Sequence, residues 1–150
     1  MKKEKEFLRE KIIEFQMKIA ELNHALQTRE QEFQDKEKNL YLQLFEVLDA
    51  FENFNKNASE KEEKFDKTTR GLVKTVRSIQ KKLIRILKEN HIVPIEFPDN
   101  KAEMKYCKVA DTRNVEGMEN ETIISVIKKG YIDTEKNAVL RKAEVITAVS

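Results

Sequence analysis

The sequence predicts an α+β fold, in which a long helical region is followed by a small β-domain. Residues 4–54 contain neither Gly nor Pro, and their apolar side chains recur in alternating steps of four and three. This spacing is typical of a long paired helix. From Ile92 onward, short apolar runs are separated by polar turns, which indicates strands. We therefore expect a coiled-coil dimerisation helix at residues 1–40, a segment of a dimeric four-helix bundle at 41–91 and the β-domain at 92–150.

The first segment carries a heptad seam, with apolar residues at the a and d positions that face a partner helix. The same register places Arg29 and Lys36 in the seam, where a charge weakens the pairing locally. Because a single chain cannot cover such a stripe, we expect a parallel homodimer. The predicted interface residues of this segment are Leu8, Ile12, Phe15, Ile19, Leu22, Leu26, Phe33 and Leu40.

The apolar stripe becomes wider in the second segment. Leu44, Leu48 and Phe51 continue it, and Phe45 lies beside them. A wide apolar face is typical of a helix that packs on more than one neighbour, as in a bundle. Leu44, Leu48 and Phe51 therefore join the predicted dimer interface.

A turn and a second helix complete the bundle segment. The asparagine-rich stretch 53–59 predicts a turn. Ser59 followed by Glu62 matches the capping box that begins a helix. The new helix has apolar residues at heptad-like spacing and should end near Asn90, because a proline lies just beyond it.

The β-domain is predicted to contain about four strands. A short strand at Ile92–Ile95 contains a proline and is expected at a sheet edge. A second strand is expected at Glu103–Val109, and a polar loop at Asp111–Asn120. The two strongest strands, Thr122–Tyr131 and Val139–Val149, are predicted to pair as a hairpin.

Four basic residues fall on that hairpin, namely Lys128, Lys129, Arg141 and Lys142. Spacing alone favours ordinary solvent-facing positions, which also discourage edge-to-edge aggregation. A basic contact patch is the alternative interpretation.

Composition argues against several classes of function. The net charge is only +2, which speaks against nucleic acid as a partner. No apolar run approaches the ~20 residues that span a bilayer, and the N-terminus lacks the apolar region of a signal peptide. The single Cys107 fits a reducing cytoplasm. Together with His24 and His91 it supplies too few ligands for a metal site, so we expect no metal, cofactor or catalytic centre.

Three stretches resemble the GrpE family, and they occur in the family's order. They are Leu44–Glu52, which is similar to a leucine-rich helical segment, Leu72–Ile95, which is similar to a bundle helix running into a strand, and Ile123–Val149, which is similar to the terminal hairpin. The most specific match is the pair Lys129-Gly130-Tyr131 and Leu140-Arg141-x-Ala143 within that hairpin.

The resemblance implies a homodimeric co-chaperone that binds the ATPase domain of a DnaK-type chaperone and stimulates ADP release. It also implies that the protein performs no covalent chemistry. The implied contact lies on the exposed face of the hairpin. Its predicted residues are Ile127, Lys128, Lys129, Gly130, Tyr131 and Arg141. A core position is the alternative for Tyr131, because it lies at the strand end, on the same face as Ile127 and Ser125.

The chain departs from the family pattern at several positions. The hairpin tip reads Asn137-Ala138 where the family often has Gly-Arg, Lys142 stands where Pro is frequent, and His91 stands where Gly commonly precedes the first strand. These departures keep a second hypothesis open, a coiled-coil adaptor whose β-domain docks another protein.

Overall fold

The computed structural model describes all 150 residues, which divide into two compact units, Met1–Leu40 and Tyr41–Ser150. Helix α1 spans Lys2–Lys61, a short 3₁₀ turn follows at Glu62–Lys64, and helix α2 spans Lys67–Glu89. The strands are β1 (Ile92–Pro94), β2 (Cys107–Asn114), β3 (Ile123–Lys128), β4 (Tyr131–Asp133), β5 (Ala138–Arg141) and β6 (Ala143–Val149). The predicted α+β fold, with a long first helix and a C-terminal β region, is confirmed.

The unit Met1–Leu40 is helical from Lys2 onward and has no core of its own. Each of its predicted seam residues is exposed, from 54% for Leu40 to 67% for Phe33. The single chain therefore leaves this apolar stripe uncovered.

The predicted boundary between the helices is wrong. Helix α1 continues through the asparagine-rich stretch to Lys61, because Asn55 turns its side chain to Gln80 of α2 and does not bend the backbone. The cap of α2 is Asp66 rather than Ser59. Its Oδ1 accepts a hydrogen bond from the Thr69 amide at 2.7 Å, and this bonding lowers the pKa of the Asp66 carboxyl.

Helix α2 ends at the predicted place. The Asn90 amide caps it by bonding to carbonyls of the last turn, and His91 takes a left-handed backbone conformation with φ of 65°. Glycine adopts this conformation most easily after a helix. The position at which the family commonly has Gly therefore keeps a glycine-like backbone even though His occupies it.

The β-domain contains two three-stranded sheets, ordered β1-β4-β5 and β2-β6-β3. Strand β1 lies at an edge, as its proline predicted. The prediction of a single long hairpin is wrong, because each of the two predicted strands divides in two. Strand β3 pairs with β6, whereas β4 pairs with β5 in the other sheet. The division falls at Lys129-Gly130 on one side and at Lys142 on the other.

Strand β2 also differs from the prediction. A turn closed by a bond from the Tyr106 amide to the Glu103 carbonyl delays its start to Cys107. The strand then continues to Asn114, into the predicted loop, because it pairs in parallel with β6. Parallel pairing between distant segments leaves no local signal in the sequence.

Two apolar clusters stabilise the larger unit. The smaller one contains Cys107, Ala143 and Val145 inside the β-domain. The other joins the helices to the β-domain and contains Phe45, Leu48, Leu87, Ile92 and Tyr131. Leu48, expected at the dimer interface, is 1% exposed in this cluster, so its own chain already covers it.

Helix α2 has a second apolar face that the chain does not cover. Leu72, Ile79 and Ile86 stand seven residues apart and are 63%, 51% and 50% exposed. Leu87, by contrast, packs inward. Together with half-buried Phe51 of α1, this exposed face offers a surface for a neighbouring helix.

Candidate functional site

An acidic pair on α1 faces the β-domain. Asp49 and Glu52 lie three residues apart, so they occupy the same side of the helix. Three basic side chains of the β-domain contact this pair: Arg141 and Lys128 pair with Asp49, and Lys129 pairs with Glu52. The charges that sequence analysis assigned to a partner are therefore neutralised within the chain.

Arg141 makes the strongest of these contacts. Its Nη1 and Nη2 atoms donate to the two carboxylate oxygens of Asp49, each at 2.7 Å. Its Nε and Nη2 atoms also donate to the Lys129 carbonyl, at 3.1 and 2.6 Å. The side chain is only 14% exposed, and a two-pronged arginine–carboxylate pair is both strong and directional.

The same guanidinium lies beside two stacked aromatic rings. Its central carbon is 5.5 Å from the ring centre of Phe45 and 5.4 Å from that of Tyr131. These distances fall within the range of cation–π attraction. Arg141 therefore joins an ion pair and an aromatic stack at one point.

The two lysines make weaker contacts. Lys128 Nζ lies 3.7 Å from Asp49, and Lys129 Nζ lies 3.0 Å from Glu52. Their side chains are 40% and 47% exposed, and ion pairs this open contribute about 0–1 kcal/mol. Both lysines can leave their partners at little cost.

A buried amide connects the acidic pair to α2. Gln80 is 7% exposed. It donates to Glu52 at 3.1 Å and accepts from Asn55 at 2.6 Å. Sequence analysis missed Gln80, although one signal was available: a polar residue lies one heptad from Val73 and Leu87, which are buried.

Two predicted contact residues lie inside the fold. Tyr131 is 3% exposed and stacks on Phe45, with ring centres 4.1 Å apart and planes 9° from parallel. Burial raises the pKa of Tyr131 to about 12, and the nearby charge of Arg141 opposes part of that rise. Of the two alternatives for Tyr131, an exposed contact and a core position, the structure has the core position.

Gly130 is buried for a steric reason. A Cβ atom at this position would collide with the Ala143 amide nitrogen, would lie 2.7 Å from the Arg141 carbonyl oxygen and would lie 2.9 Å from Cδ1 of Ile95. Only a residue without a side chain fits where β4 approaches the β5–β6 link this closely. Gly130 is thus a packing residue and cannot form an exposed contact.

The remaining predicted contact residues line a groove between α1 and β3. The groove encloses about 350 Å³. Ile127 stands at its wall and is 57% exposed, and Val126 is 44% exposed. The lining residues are Asp49, Glu52, Asn53, Val126, Ile127, Lys128, Lys129 and Glu144.

The GrpE family model matches residues 1–149. The chain belongs to the GrpE family. Proteins of this family are nucleotide exchange co-chaperones of DnaK. No individually curated protein matches the chain.

The contacts in the structure explain the two hairpin motifs that this chain shares with the GrpE family. Lys129-Gly130-Tyr131 supplies a carbonyl for Arg141, a close backbone approach and a ring for the aromatic stack. The Leu140-Arg141 pair adds a core contact and the guanidinium itself.

Neither α1 nor α2 has an apolar stretch long enough to cross a membrane.

Proposed function

We propose that this GrpE-family chain stimulates ADP release by binding a DnaK-type ATPase domain in its open-cleft form. A partner that binds the open form more tightly must weaken nucleotide binding by the same coupling free energy. The chain need supply only a shaped surface, with no catalytic group. We also infer that it acts in the cytoplasm, where Cys107 stays reduced.

One observation supports the location of the contact. Ile127 is a large apolar side chain, 57% exposed, on strand β3, whose last residue Lys128 pairs with Asp49 of α1. An exposed apolar residue beside two releasable lysines matches the composition of an interface centre with a polar rim. Ile127 is therefore the proposed apolar anchor, and Lys128 and Lys129 are the proposed charged rim.

The proposed working form is a homodimer. The exposed seam of residues 8–40 and the uncovered stripe of Leu72, Ile79 and Ile86 are two apolar surfaces that one chain leaves open. Pairing of the stripe with its copy would complete a four-helix bundle of α1 and α2 segments. Leu44 and Phe51 are half-buried and remain candidates for this interface.

The test is the release of fluorescently labelled ADP from a DnaK-type chaperone. At chaperone-limited binding, Ile127→Asp should reduce the stimulation of release by about 30-fold or more, because loss of a hot-spot side chain costs about 2 kcal/mol or more and about 1.4 kcal/mol is tenfold. Met104→Asp is the matched control, since Met104 is also a large exposed apolar residue, at 68%, and lies ahead of β2. Equal loss in both variants would contradict the assigned contact.

The adaptor hypothesis makes a different prediction in the same assay. An adaptor would bind its partner without changing the rate of ADP release. Wild-type protein that binds the chaperone and leaves that rate unchanged would therefore replace the exchange proposal with the adaptor.

A further inference from the structure

We propose that Asp49 and Arg141 form a latch that orients strand β3 against helix α1 and thereby sets the shape of the contact groove. In this proposal, which rests on the proposed exchange function, both are positioning residues. Neither needs to touch the chaperone.

Arg141 has little hydrogen-bonding capacity left for a partner. Three of its nitrogen atoms already donate to Asp49 or to the Lys129 carbonyl. Its side chain is 14% exposed, against 40% for Lys128 and 47% for Lys129. A guanidinium has five N–H donors in a fixed planar fork, and most of this fork is used inside the chain.

The latch also connects the elements that form the two walls of the groove. Asp49 lies on α1, which forms one wall. Arg141 ends β5, and the Lys129 carbonyl follows directly on β3, which forms the other wall. Loss of Arg141 leaves only the Lys128 and Lys129 ion pairs, which are open to solvent, and loss of Asp49 leaves only that of Lys129.

The latch is directional, whereas the apolar contact between α1 and the β-domain is not. The stack of Phe45 on Tyr131 holds the β-domain on α1, but apolar burial is non-directional and tolerates sliding. A two-pronged ion pair has a single best geometry. The core therefore supplies the attachment, and the latch selects the orientation.

The test compares Asp49→Asn, Arg141→Gln and the double variant at a temperature well below unfolding. Each single variant should stay folded and lose about tenfold in stimulation of ADP release, since a hydrogen-bonded ion pair is typically stronger than a neutral hydrogen bond. The double variant should be no worse than Asp49→Asn, which already removes the latch together with the Lys128 ion pair. Arg113→Gln removes an exposed arginine from β2 and should leave the stimulation unchanged.

Two conservative variants separate positioning from simple stabilisation. Asp49→Glu keeps both carboxylate oxygens and should restore much of the stimulation. Arg141→Lys keeps the charge and the fold but cannot make a two-pronged contact. Its stimulation of ADP release should therefore lie between those of the wild type and Arg141→Gln. Full stimulation by folded Arg141→Lys and Asp49→Asn would overturn the proposal, as would a loss confined to Arg141 variants.

A measurement on the protein alone keeps the latch testable if the exchange function itself fails. In the wild type, the Arg141 Nε–H should exchange slowly with water in ¹H–¹⁵N spectra, because it donates to the Lys129 carbonyl. Asp49→Asn should accelerate this exchange and shift the amide signals of residues 126–131. If Asp49→Asn left the exchange of the Arg141 Nε–H unchanged, Asp49 would not hold the guanidinium in place, whatever the chaperone assay gives.

Discussion

Replacing Gly130 with alanine tests the packing of the β-domain most directly. The added Cβ would meet two backbone atoms, the Ala143 nitrogen and the Arg141 carbonyl oxygen, as well as Cδ1 of Ile95. Backbone atoms cannot rotate away as side chains can, so one of the strands must shift. Overpacking of this kind costs about 1–3 kcal/mol, and we expect Gly130→Ala to lower the free energy of unfolding by about 2 kcal/mol or more.

Gly71→Ala is the matched control, because it adds the same methyl group in open space. Apart from its chain neighbours and the nearby backbone of its own helix, no heavy atom of the chain lies within 4 Å of that Cβ, and Gly71 is inside α2. Alanine favours a helix over glycine by up to about 1 kcal/mol. The two substitutions should therefore change the free energy of unfolding in opposite directions.

Thermal and urea unfolding, followed by near-ultraviolet circular dichroism, provide the assay. All three tyrosines lie at or beyond Tyr41 and tryptophan is absent, so the tyrosine signal reports on the larger unit. A loss of 2 kcal/mol should lower Tm of this unit by about 10 °C. Wild-type stability in Gly130→Ala, or equal destabilisation by Gly71→Ala, would refute the steric explanation.

Three further outcomes are expected. Ile19→Asp should weaken dimerisation in sedimentation equilibrium, because it places an unpaired charge in the seam; an unchanged association constant would contradict the seam. A chain that begins at Asn39 should still dimerise through the exposed stripe of α2, and adding Ile79→Asp should make it monomeric; a folded monomer without that substitution would contradict the bundle. Tyr131 should titrate near pH 12 in ultraviolet absorbance. Because the pKa of Tyr131 is higher in the folded than in the unfolded chain, its contribution to stability is complete below about pH 10 and is lost as pH rises toward 12. Tyr131→Phe should remove that loss, and a normal titration near pH 10 would show that the ring is exposed.

The hairpin also shows how far a basic pattern can be interpreted. Lys128, Lys129 and Arg141 look alike in the sequence, and all three were predicted to face a partner. In the structure one is a nearly buried structural cation and two are open surface pairs. Charge reversal at Arg141 should therefore disturb the fold, contrary to the expectation for an exposed residue, whereas reversal at Lys128 should not.

The sequence by itself determined the features that depend on near neighbours. Side-chain periodicity predicts the seam of the first helix, helix termination signals predict the end of α2 near Asn90, and proline predicts the edge position of β1. Each of these signals acts within a few residues. The fold class and the family resemblance follow from the order of such local patterns. For the same reason, the exposed seam was recognisable as an apolar stripe that its own chain does not cover.

Only the tertiary structure decided which long-range partners these residues have. Arg141 and Asp49 are 92 positions apart, and Gln80 and Glu52 are 28 apart. No periodic pattern specifies such pairs, because they form when α1, α2 and the β-domain pack around Phe45 and Tyr131. That packing buried Leu48, Gly130 and Tyr131, and it left Ile127, Lys128 and Lys129 as the accessible part of the predicted contact.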